Sequence, residues 1–288
     1  MISSVPFLSL QGIEKRFRAD NVVGDIVALA RVDLGVQRGE FICMVGPSGC
    51  GKSTLLNIVA GLEAPSAGQV LLEGKTIPDP GPDRLLVFQE AALFSWLTAI
   101  QNVEMGLWAR GMRRGERKRL AREFLRIVNL SRFENSLPHE LSGGMKQRVA
   151  IARALAMKPK VLLMDEPFAS LDAQTRDRLH EDLQNIWRAT GKTIVFVTHN
   201  VEEAVYLGDR VVIFSAHPGH IKREVKVPLS RPRHKEDPAL IEIARRIVKD
   251  LREEVRQTER EELGLREDEQ DGERWELVRS RLEELGFL

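Results

Sequence analysis

The segment Gly46-Pro-Ser-Gly-Cys-Gly-Lys-Ser53 decides the fold of this chain of 288 residues. It follows the apolar run Phe41-Ile-Cys-Met-Val45, which predicts a buried strand, and a stretch with helical spacing begins at Thr54. A glycine loop between a strand and a helix turns backbone N–H groups and the positive end of the helix dipole towards a phosphate chain. Lys52 can reach the terminal phosphates, and Ser53 can hold Mg²⁺. The segment therefore predicts a nucleoside triphosphate site, although so short a pattern also arises by chance.

A second helix start lies in Leu141-Ser-Gly-Gly-Met-Lys-Gln-Arg148. Ser142 is a favourable N-cap, and the apolar residues that follow have helical spacing. Ser142, Gly143 and Gly144 would therefore form a second anion-binding helix N-terminus. The alternative is an ordinary capped helix after a glycine turn, which is a common structure.

Two apolar strands end in polar side chains. Val161-Leu-Leu-Met164 is followed by Asp165 and Glu166, at the strand end where open α/β sheets bind ligands. Asp165 could coordinate Mg²⁺, and Glu166 could take a proton from an attacking water molecule. Ile194-Val-Phe-Val-Thr-His199 ends in His199 at the same predicted sheet edge. Each strand taken alone is weak support for a catalytic site.

Together and in this order, these segments resemble the ATP-binding cassette (ABC) ATPases over residues 7–233. The matching motifs are Walker A (residues 46–53), Gln89 of the Q-loop, the signature (residues 141–144), Walker B (residues 161–166), the D-loop (residues 169–172) and the switch His199. The resemblance implies an α/β fold. It would be a P-loop NTPase cassette with a RecA-like core, an antiparallel β subdomain and an α-helical signature subdomain, plus a C-terminal helical extension. It also implies an ATPase that uses ATP and Mg²⁺.

The resemblance implies a role for each motif residue. The catalytic group would comprise Lys52, Gln89, Glu166 and His199. Mg²⁺ would be held by Ser53, Gln89 and Asp165. Glu166 would polarise water, His199 would contact the γ-phosphate, and Phe17 would stack on adenine with Val27 beneath it. The nucleotide-binding residues would be Phe17, Val27, Gly46, Pro47, Ser48, Gly49, Cys50, Gly51, Lys52, Ser53 and Thr54, with Ser142, Gly143 and Gly144 contributed by a partner cassette.

Shorter segments indicate a subfamily. They are Gly81-Pro-Asp-Arg84, Leu93-Phe-Ser-Trp-Leu-Thr98, Asn102-Val103, Pro218-Gly-His-Ile221 and Arg231-Pro-Arg233. This pattern resembles the import ATPases for nitrate, sulfonate, taurine, cyanate and related small anions. Three residues depart from it: Ser95 where proline is usual, Phe17 where tyrosine is more frequent, and Asn200 where aspartate is commoner. None of them removes a catalytic group, and Phe17 still offers a ring face for stacking.

The composition, with 43% hydrophobic and 30% charged residues, is that of a soluble globular protein. No apolar run is long enough to predict a membrane span, and the N-terminal segment lacks the features of a signal peptide. Cys43 and Cys50 predict no disulfide framework. A net charge of +1 without a Lys/Arg block argues against a nucleic-acid partner. We therefore expect a peripheral protein on the cytoplasmic face of the cell membrane, attached through its partners.

The sequence predicts one ABC cassette at residues 7–227, whose helical subdomain covers about residues 91–157. The proline-rich residues 228–236 have the composition of a linker. Residues 237–288 would form the C-terminal helical extension. Because few contacts cross a linker, truncation after Arg233 is expected to leave a folded cassette.

Within the extension, Asp237 predicts a helix N-cap. The helix that follows carries an apolar stripe on one face, formed by Leu240, Ile241, Ala244, Ile247, Val248, Leu251 and Val255. This stripe could pack on the chain's own cassette, on the tail of a second copy or on another subunit. A last amphipathic helix is predicted from Trp275, Val278, Leu282 and Leu285.

The family resemblance also implies partners. Two cassettes, identical or related, pair head to tail with ATP between the Walker A motif of one and the signature of the other. Phe94 and Trp96 would receive a helix of an integral membrane permease, and a periplasmic or extracellular solute-binding protein would act indirectly. The solute itself cannot be read from a chain that does not contact it.

Other functions use the same motifs. ATPases of translation or DNA repair usually carry two cassettes in one chain or a long coiled-coil insertion, and neither occurs in this sequence. A scaffold ATPase of cofactor assembly is a further alternative, against which Phe94, Trp96 and Arg231-Pro-Arg233 argue.

Overall fold

The computed structural model of the chain describes residues 5–18 and 25–263, of which residues 254–263 are described by their backbone. The strands are β1 (Leu8–Arg18), β2 (Asp25–Val36), β3 (Phe41–Val45), β4 (Ala67–Leu72), β5 (Lys75–Thr76), β6 (Arg84–Val87), β7 (Val161–Asp165), β8 (Thr193–Val197), β9 (Arg210–Phe214) and β10 (Ile221–Lys226). The α-helices are α1 (Lys52–Ala60), α2 (Ala99–Ala109), α3 (Arg114–Ile127), α4 (Gly143–Ala156), α5 (Ala173–Thr190), α6 (Val201–Leu207) and α7 (Pro238–Leu263).

The central sheet has six strands in the order β10-β9-β3-β8-β7-β6. Its strands are parallel except for β10, which pairs antiparallel with β9. Parallel strands end at one edge of a sheet, so the segments after Val45, Val87, Asp165 and Val197 emerge side by side. This edge carries the Walker A loop, Gln89, the end of Walker B and His199.

Strand β3 illustrates why the sequence of each central strand is a continuous run of apolar residues. Phe41 and Cys43 belong to a buried cluster that also contains residues of α2–α7, whereas Ile42 and Met44 belong to a second cluster with α1 and the other sheet. A strand buried on both faces needs an apolar side chain at every position. The two clusters form the core on either side of the central sheet.

A second sheet, antiparallel throughout, has the order β2-β1-β4-β5. It confirms the predicted antiparallel β subdomain. Irregularities interrupt the register of β1 against β2, the last of them between Lys15 and Arg16. Such bulges change which face a following side chain occupies.

The helices α2, α3 and α4 pack on one another and confirm the predicted α-helical subdomain. Thr98 begins α2 with a capping box in which its side chain and that of Gln101 bond reciprocally to backbone N–H groups. Ser142 caps α4 by accepting a bond of 3.3 Å from Met145 N, as predicted. Across residues 5–18 and 25–263, no helix combines the length and apolar character needed to cross a membrane.

The segment of residues 228–236 has no regular secondary structure but is firmly attached to the cassette. The guanidinium of Arg233 is buried and donates to the carbonyl oxygens of Val205 (2.8 Å) and Gly208 (2.6 Å). Burial, with the neighbouring charge of Arg231, lowers the pKa of Arg233 to about 10. The expectation that few contacts cross this segment is therefore wrong, because Arg233 bonds backbone carbonyl oxygens of α6 and the residue after it.

Helix α7 packs on α6 of the same chain. Asp237 caps it as predicted, accepting a bond of 2.9 Å from Ala239 N. Leu240, Ala244 and Ile247 are buried in the same core cluster as the cassette. The apolar side of α7 therefore packs on the chain's own cassette, which is one of the three surfaces that the sequence left open. Within the predicted apolar face, Val248 and Leu251 are partly buried, and Ile241 is exposed. The helix predicted around Trp275 lies outside the described residues.

Candidate functional site

The phosphate loop of residues 46–51 joins β3 to α1 and surrounds the side chain of Lys52. The Lys52 ammonium group is buried and donates hydrogen bonds to the carbonyl oxygens of Gly46 (2.8 Å) and Pro47 (2.7 Å). It also lies 3.3 Å from Cys50 Sγ. A cation is thus held at the base of the loop, next to the first turn of α1.

The loop geometry depends on glycine. Gly49 and Gly51 have φ angles of 77° and 89°, in the left-handed region that side chains disfavour. A Cβ at Gly51 would lie 2.7 Å from Leu29 Cδ2 of β2. No side chain of the described residues caps α1, which leaves its first N–H groups available to an anion. The cradle fits a phosphate group in both shape and charge.

Ser53 and Asp165 connect the phosphate loop with the end of β7. Ser53 Oγ donates a bond of 3.0 Å to Asp165 Oδ1. Burial raises the pKa of Asp165 and the charge of Glu166 adds to this rise, while the Ser53 hydrogen bond opposes it. Among the described residues no cluster of three or more Asp, Glu, His or Cys side chains could hold a metal ion. This oxygen pair fits Mg²⁺ that is held largely by substrate phosphates.

Glu166 and His199 face each other across the ends of β7 and β8. His199 Nδ1 lies 2.8 Å from Glu166 Oε2, and Glu166 N donates to Val197 O at 3.0 Å. Glu166 has a φ of 43°, a strained value for a residue with a side chain. The sharp turn directs its carboxylate away from the strand and towards His199, so the predicted pair of acid and histidine is brought together.

Gln89 follows β6, the strand beside β7, and its side chain is exposed. The segment around it is held by α4. Gln147 donates to Phe88 O at 3.1 Å, and Arg153 donates to Ala92 O at 2.9 Å. Sequence reasoning assigned no role to Gln147 or Arg153. They lie six residues apart on α4, so they share no helical face, and no pattern in the sequence marks them.

Ser142, Gly143 and Gly144 lie at the start of α4, against the D-loop and α5. A Cβ at Gly144 would come within 2.4 Å of Thr175 Cγ2, and one at Gly143 would lie 3.4 Å from Leu171 Cδ2. The predicted site residues thus fall into two groups. The first lies at the sheet edge and consists of Lys52, Ser53, Asp165, Glu166 and His199. The second is the signature, which lies beside the D-loop.

Phe17 lies near the end of β1 with 39% of its surface exposed, and the ammonium of Lys15 is 4.9 Å from its ring centroid. Phe17 pairs with Ile26 of β2, whereas Val27 pairs with Arg16. Directly opposed residues share a face of an antiparallel pair, so Phe17 and Val27 lie on opposite faces. The arrangement with Val27 beneath Phe17 does not agree with this register. Adenine stacking on Phe17 stays a prediction, as does any nucleotide contact of Val27.

A further glycine that sequence reasoning did not place supports the loop from behind. Gly219 N donates to Ala28 O at 3.1 Å, and Ala30 N donates to Gly219 O at 2.9 Å. A Cβ at Gly219 would come within 1.9 Å of Cys50 O. The segment after β9 therefore fastens the phosphate loop to β2, and only a glycine allows this approach. The sequence Pro218-Gly-His-Ile221 was recognised as a family feature, but not for this contact.

The Phe17→Ala variant is expected to raise the KM for ATP by about three- to tenfold, the value of one aromatic stacking contact. The kcat should change by less than about twofold, because Phe17 lies in the antiparallel sheet, whereas Glu166 and His199 follow strands of the central sheet. Steady-state ATPase kinetics will measure both constants. Phe133→Ala, which removes a phenylalanine of similar exposure from the helical subdomain, is the control. A collapse of kcat with an unchanged KM would contradict stacking.

The segment after the Q-loop presents an aromatic pair. The rings of Phe94 and Trp96 are 5.4 Å apart, and Trp96 is 71% exposed. Asn102, fully buried on α2, accepts from Phe94 N at 2.9 Å and donates to Leu97 O at 3.0 Å. Trp96 is therefore held outward by a buried amide and is not part of the core.

Comparison with known proteins agrees with this geometry. The family described as ABC transporter matches residues 29–169. An uncharacterised ABC transporter ATP-binding protein of Methanocaldococcus jannaschii is 50% identical over 80% of this chain and 86% of its own length. The nitrate import ATP-binding protein NrtD of Synechocystis is 50% identical over 72% and 77%, and the bicarbonate transport ATP-binding protein CmpD of Synechococcus elongatus is 45% identical over 80% and 84%.

Among solved structures, the dimeric cassette MJ0796 in a post-hydrolysis state with ADP and Pi superposes with a TM-score of 0.69. It is 36% identical to this chain and aligns over 77% of it and over all of its own length. The two sheets, the helical subdomain and the phosphate loop described above are thus those of a cassette that hydrolyses ATP. The chain belongs to the ABC transporter family, as one of its ATP-binding, ATP-hydrolysing subunits.

Proposed function

We propose that two copies of this chain, or this chain and a related cassette, pair head to tail and hydrolyse ATP at shared sites. The observation that carries this proposal is the division of the motif residues into two groups within one chain. The phosphate loop and the Glu166–His199 pair lie at the edge of the central sheet, whereas Gly143 and Gly144 pack against the D-loop and α5. A partner in the inverted orientation would bring the missing half to each site.

In this proposal the chain's own residues bind and orient the nucleotide. The amides of the phosphate loop and the Lys52 ammonium hold the β- and γ-phosphates. Mg²⁺ neutralises the developing phosphate charge when it is bound, and Ser53, Asp165 and Gln89 would hold it. Glu166 takes a proton from the attacking water, while His199 orients Glu166 and contacts the γ-phosphate. Ser142, Gly143 and Gly144 of the partner cassette would close the site.

We further propose that the chain serves an importer of a small anion and binds to its permease at the cytoplasmic face of the membrane. The relatives named for nitrate and bicarbonate import support a small oxoanion, and sulfonate or taurine is the alternative solute. Phe94 and Trp96 are the proposed contact with the permease, because Asn102 holds this aromatic pair at the surface next to the Q-loop. A solute-binding protein would act through the permease.

Membrane attachment tests the importer proposal. Vesicles that contain the permease subunits of its importer are expected to retain the parent protein, and to retain much less of the Trp96→Ala variant. Trp108→Ala is the matched control, since Trp108 is 62% exposed at the far end of α2. Equal retention of the three proteins would contradict docking through Trp96. A lack of retention of the parent protein would favour a non-transport cassette, such as a cofactor-assembly scaffold or a translation or repair factor.

A further inference from the structure

A buried network of polar side chains lies behind His199. Glu203 on α6 accepts a hydrogen bond from the hydroxyl of Thr198 at the end of β8, and its other carboxylate oxygen lies 2.6 Å from His180 Nε2 on α5. All three residues are nearly inaccessible to solvent. A carboxylate only accepts hydrogen bonds, so Nε2 carries the proton in this contact. Glu203 thus joins two helices to the strand end before His199.

Glu203 holds the turn on both sides of His199. Asn200 N donates to Thr198 Oγ1 at 3.0 Å, so the hydroxyl that bonds Glu203 also closes the turn. Asn200 Oδ1 in turn accepts from Glu203 N at 3.1 Å as the N-cap of α6. The side chain of His199 is largely exposed. Its position is therefore set by its two neighbours, and both are bonded to Glu203.

His180 connects the same network with the loop that carries Glu166. The ring of Phe168, two residues after Glu166, packs edge-on against the His180 ring with centroids 5.5 Å apart. Arg176, one turn earlier on α5, donates to the carbonyl oxygen of Leu171 in the D-loop at 2.6 Å. One buried histidine thus contacts the segment of Glu166 on one side and, through Glu203, the turn of His199 on the other.

We propose that His180 and Glu203 are positioning residues that set the distance between His199 and Glu166. Neither touches the nucleotide in this proposal. Their removal would leave Phe168 and Thr198 without a common support, so the 2.8 Å contact between His199 and Glu166 would loosen. Misplacement of a reacting group lowers the rate of the chemical step more than it lowers substrate binding. The inference rests on the proposed roles of Glu166 and His199.

The test compares two buried polar residues of α5 in the full-length chain. His180→Ala is expected to lower kcat at least about tenfold, with the dissociation constant for a fluorescent ATP analogue within about twofold of the parent. His180→Gln should recover most of the rate, because a glutamine amide can also donate to Glu203. Gln184→Ala is the control: Gln184 is equally buried one turn further along and bonds Tyr206 O of α6 at 3.1 Å. It should lose stability without a comparable loss of kcat.

A second variant keeps the test decisive if His180→Ala does not fold. Thr198→Val preserves volume and the contact between His180 and Glu203, and removes only the hydroxyl that joins them to the turn. We expect a kcat about tenfold lower with normal nucleotide binding. A kcat within about twofold of the parent in Thr198→Val, or equal losses in His180→Ala and Gln184→Ala, would overturn the inference. Full activity in Glu166→Gln and His199→Ala would instead overturn the proposed roles on which it rests.

Discussion

The Glu166→Gln variant is expected to bind ATP normally and to hydrolyse it about a hundred- to ten-thousandfold more slowly than the parent, the range typical for loss of a general base. The amide has the shape of the carboxylate but cannot accept the proton of the attacking water. The Ser53–Asp165 pair and the phosphate loop stay unchanged, because neither bonds the Glu166 side chain. Single-turnover hydrolysis and equilibrium ATP binding will separate the two effects.

Glu202→Gln is the matched control for this experiment. Glu202 is exposed three residues after His199 and lines a groove with residues of α7. Its loss should leave the hydrolysis rate unchanged. The Glu166→Gln protein should also accumulate as an ATP-bound dimer, since the ATP that lies between the two cassettes of the proposed pair is no longer hydrolysed. Hydrolysis within a few fold of the parent would show that another group is the base.

The motif residues of the central sheet could be predicted because their positions follow from local rules. An apolar run followed by Asp165 and Glu166 fixes both residues at a strand end, and parallel strands bring such ends together. The 2.8 Å contact between His199 and Glu166 is a direct consequence of this topology. The left-handed backbone of Glu166 was not predictable, because no glycine or asparagine marks it.

The register that places Phe17 and Val27 on opposite faces of the sheet could not be predicted from the sequence. Sequence spacing places both residues near the end of a hairpin, but the face that each occupies depends on bulges in β1. The irregularity between Lys15 and Arg16 precedes the pairs that set Phe17 opposite Ile26. A shift by one residue exchanges the two faces of a strand, and no residue in this stretch indicates the shift.

The prediction of a loosely attached linker at residues 228–236 was wrong because prolines and charged residues, which this segment contains, are typical of solvated linkers. Its arginines form contacts that composition does not reveal. Arg231 bonds Asp209 and stacks on Trp187 with its guanidinium 4.2 Å from the ring centroid, and Arg233 occupies a cluster of carbonyl oxygens. The planar guanidinium can satisfy several acceptors at once while it is buried. Asp209, Trp187 and Gly208 each lie more than twenty residues away in sequence, so local patterns do not indicate these contacts.

The packing of α7 on the cassette reverses the expected result of truncation after Arg233. The cut removes α7 and exposes the cassette surface that covers Leu240, Ala244 and Ile247. Burial of a leucine or isoleucine side chain contributes about 1.5–3 kcal/mol, so these residues and the surface they cover represent a loss of roughly 4–6 kcal/mol. The stability of a whole domain is only about 5–15 kcal/mol. The truncated chain is therefore expected to aggregate, or to unfold at least about 10 °C below the parent.

Truncation after Leu263 is the matched control, because it keeps α7 and its ion pair between Asp250 and Arg223 of β10, 3.1 Å apart. It should unfold within about 3 °C of the full chain and bind ATP normally. Thermal unfolding and sedimentation without nucleotide will compare the three proteins. A soluble monomer from the Arg233 truncation, with the melting temperature of the full chain, would contradict packing of α7 on its own cassette. Because α6 begins at the switch turn that holds His199, loss of α7 should also lower the ATPase rate of any Arg233 truncation that stays soluble.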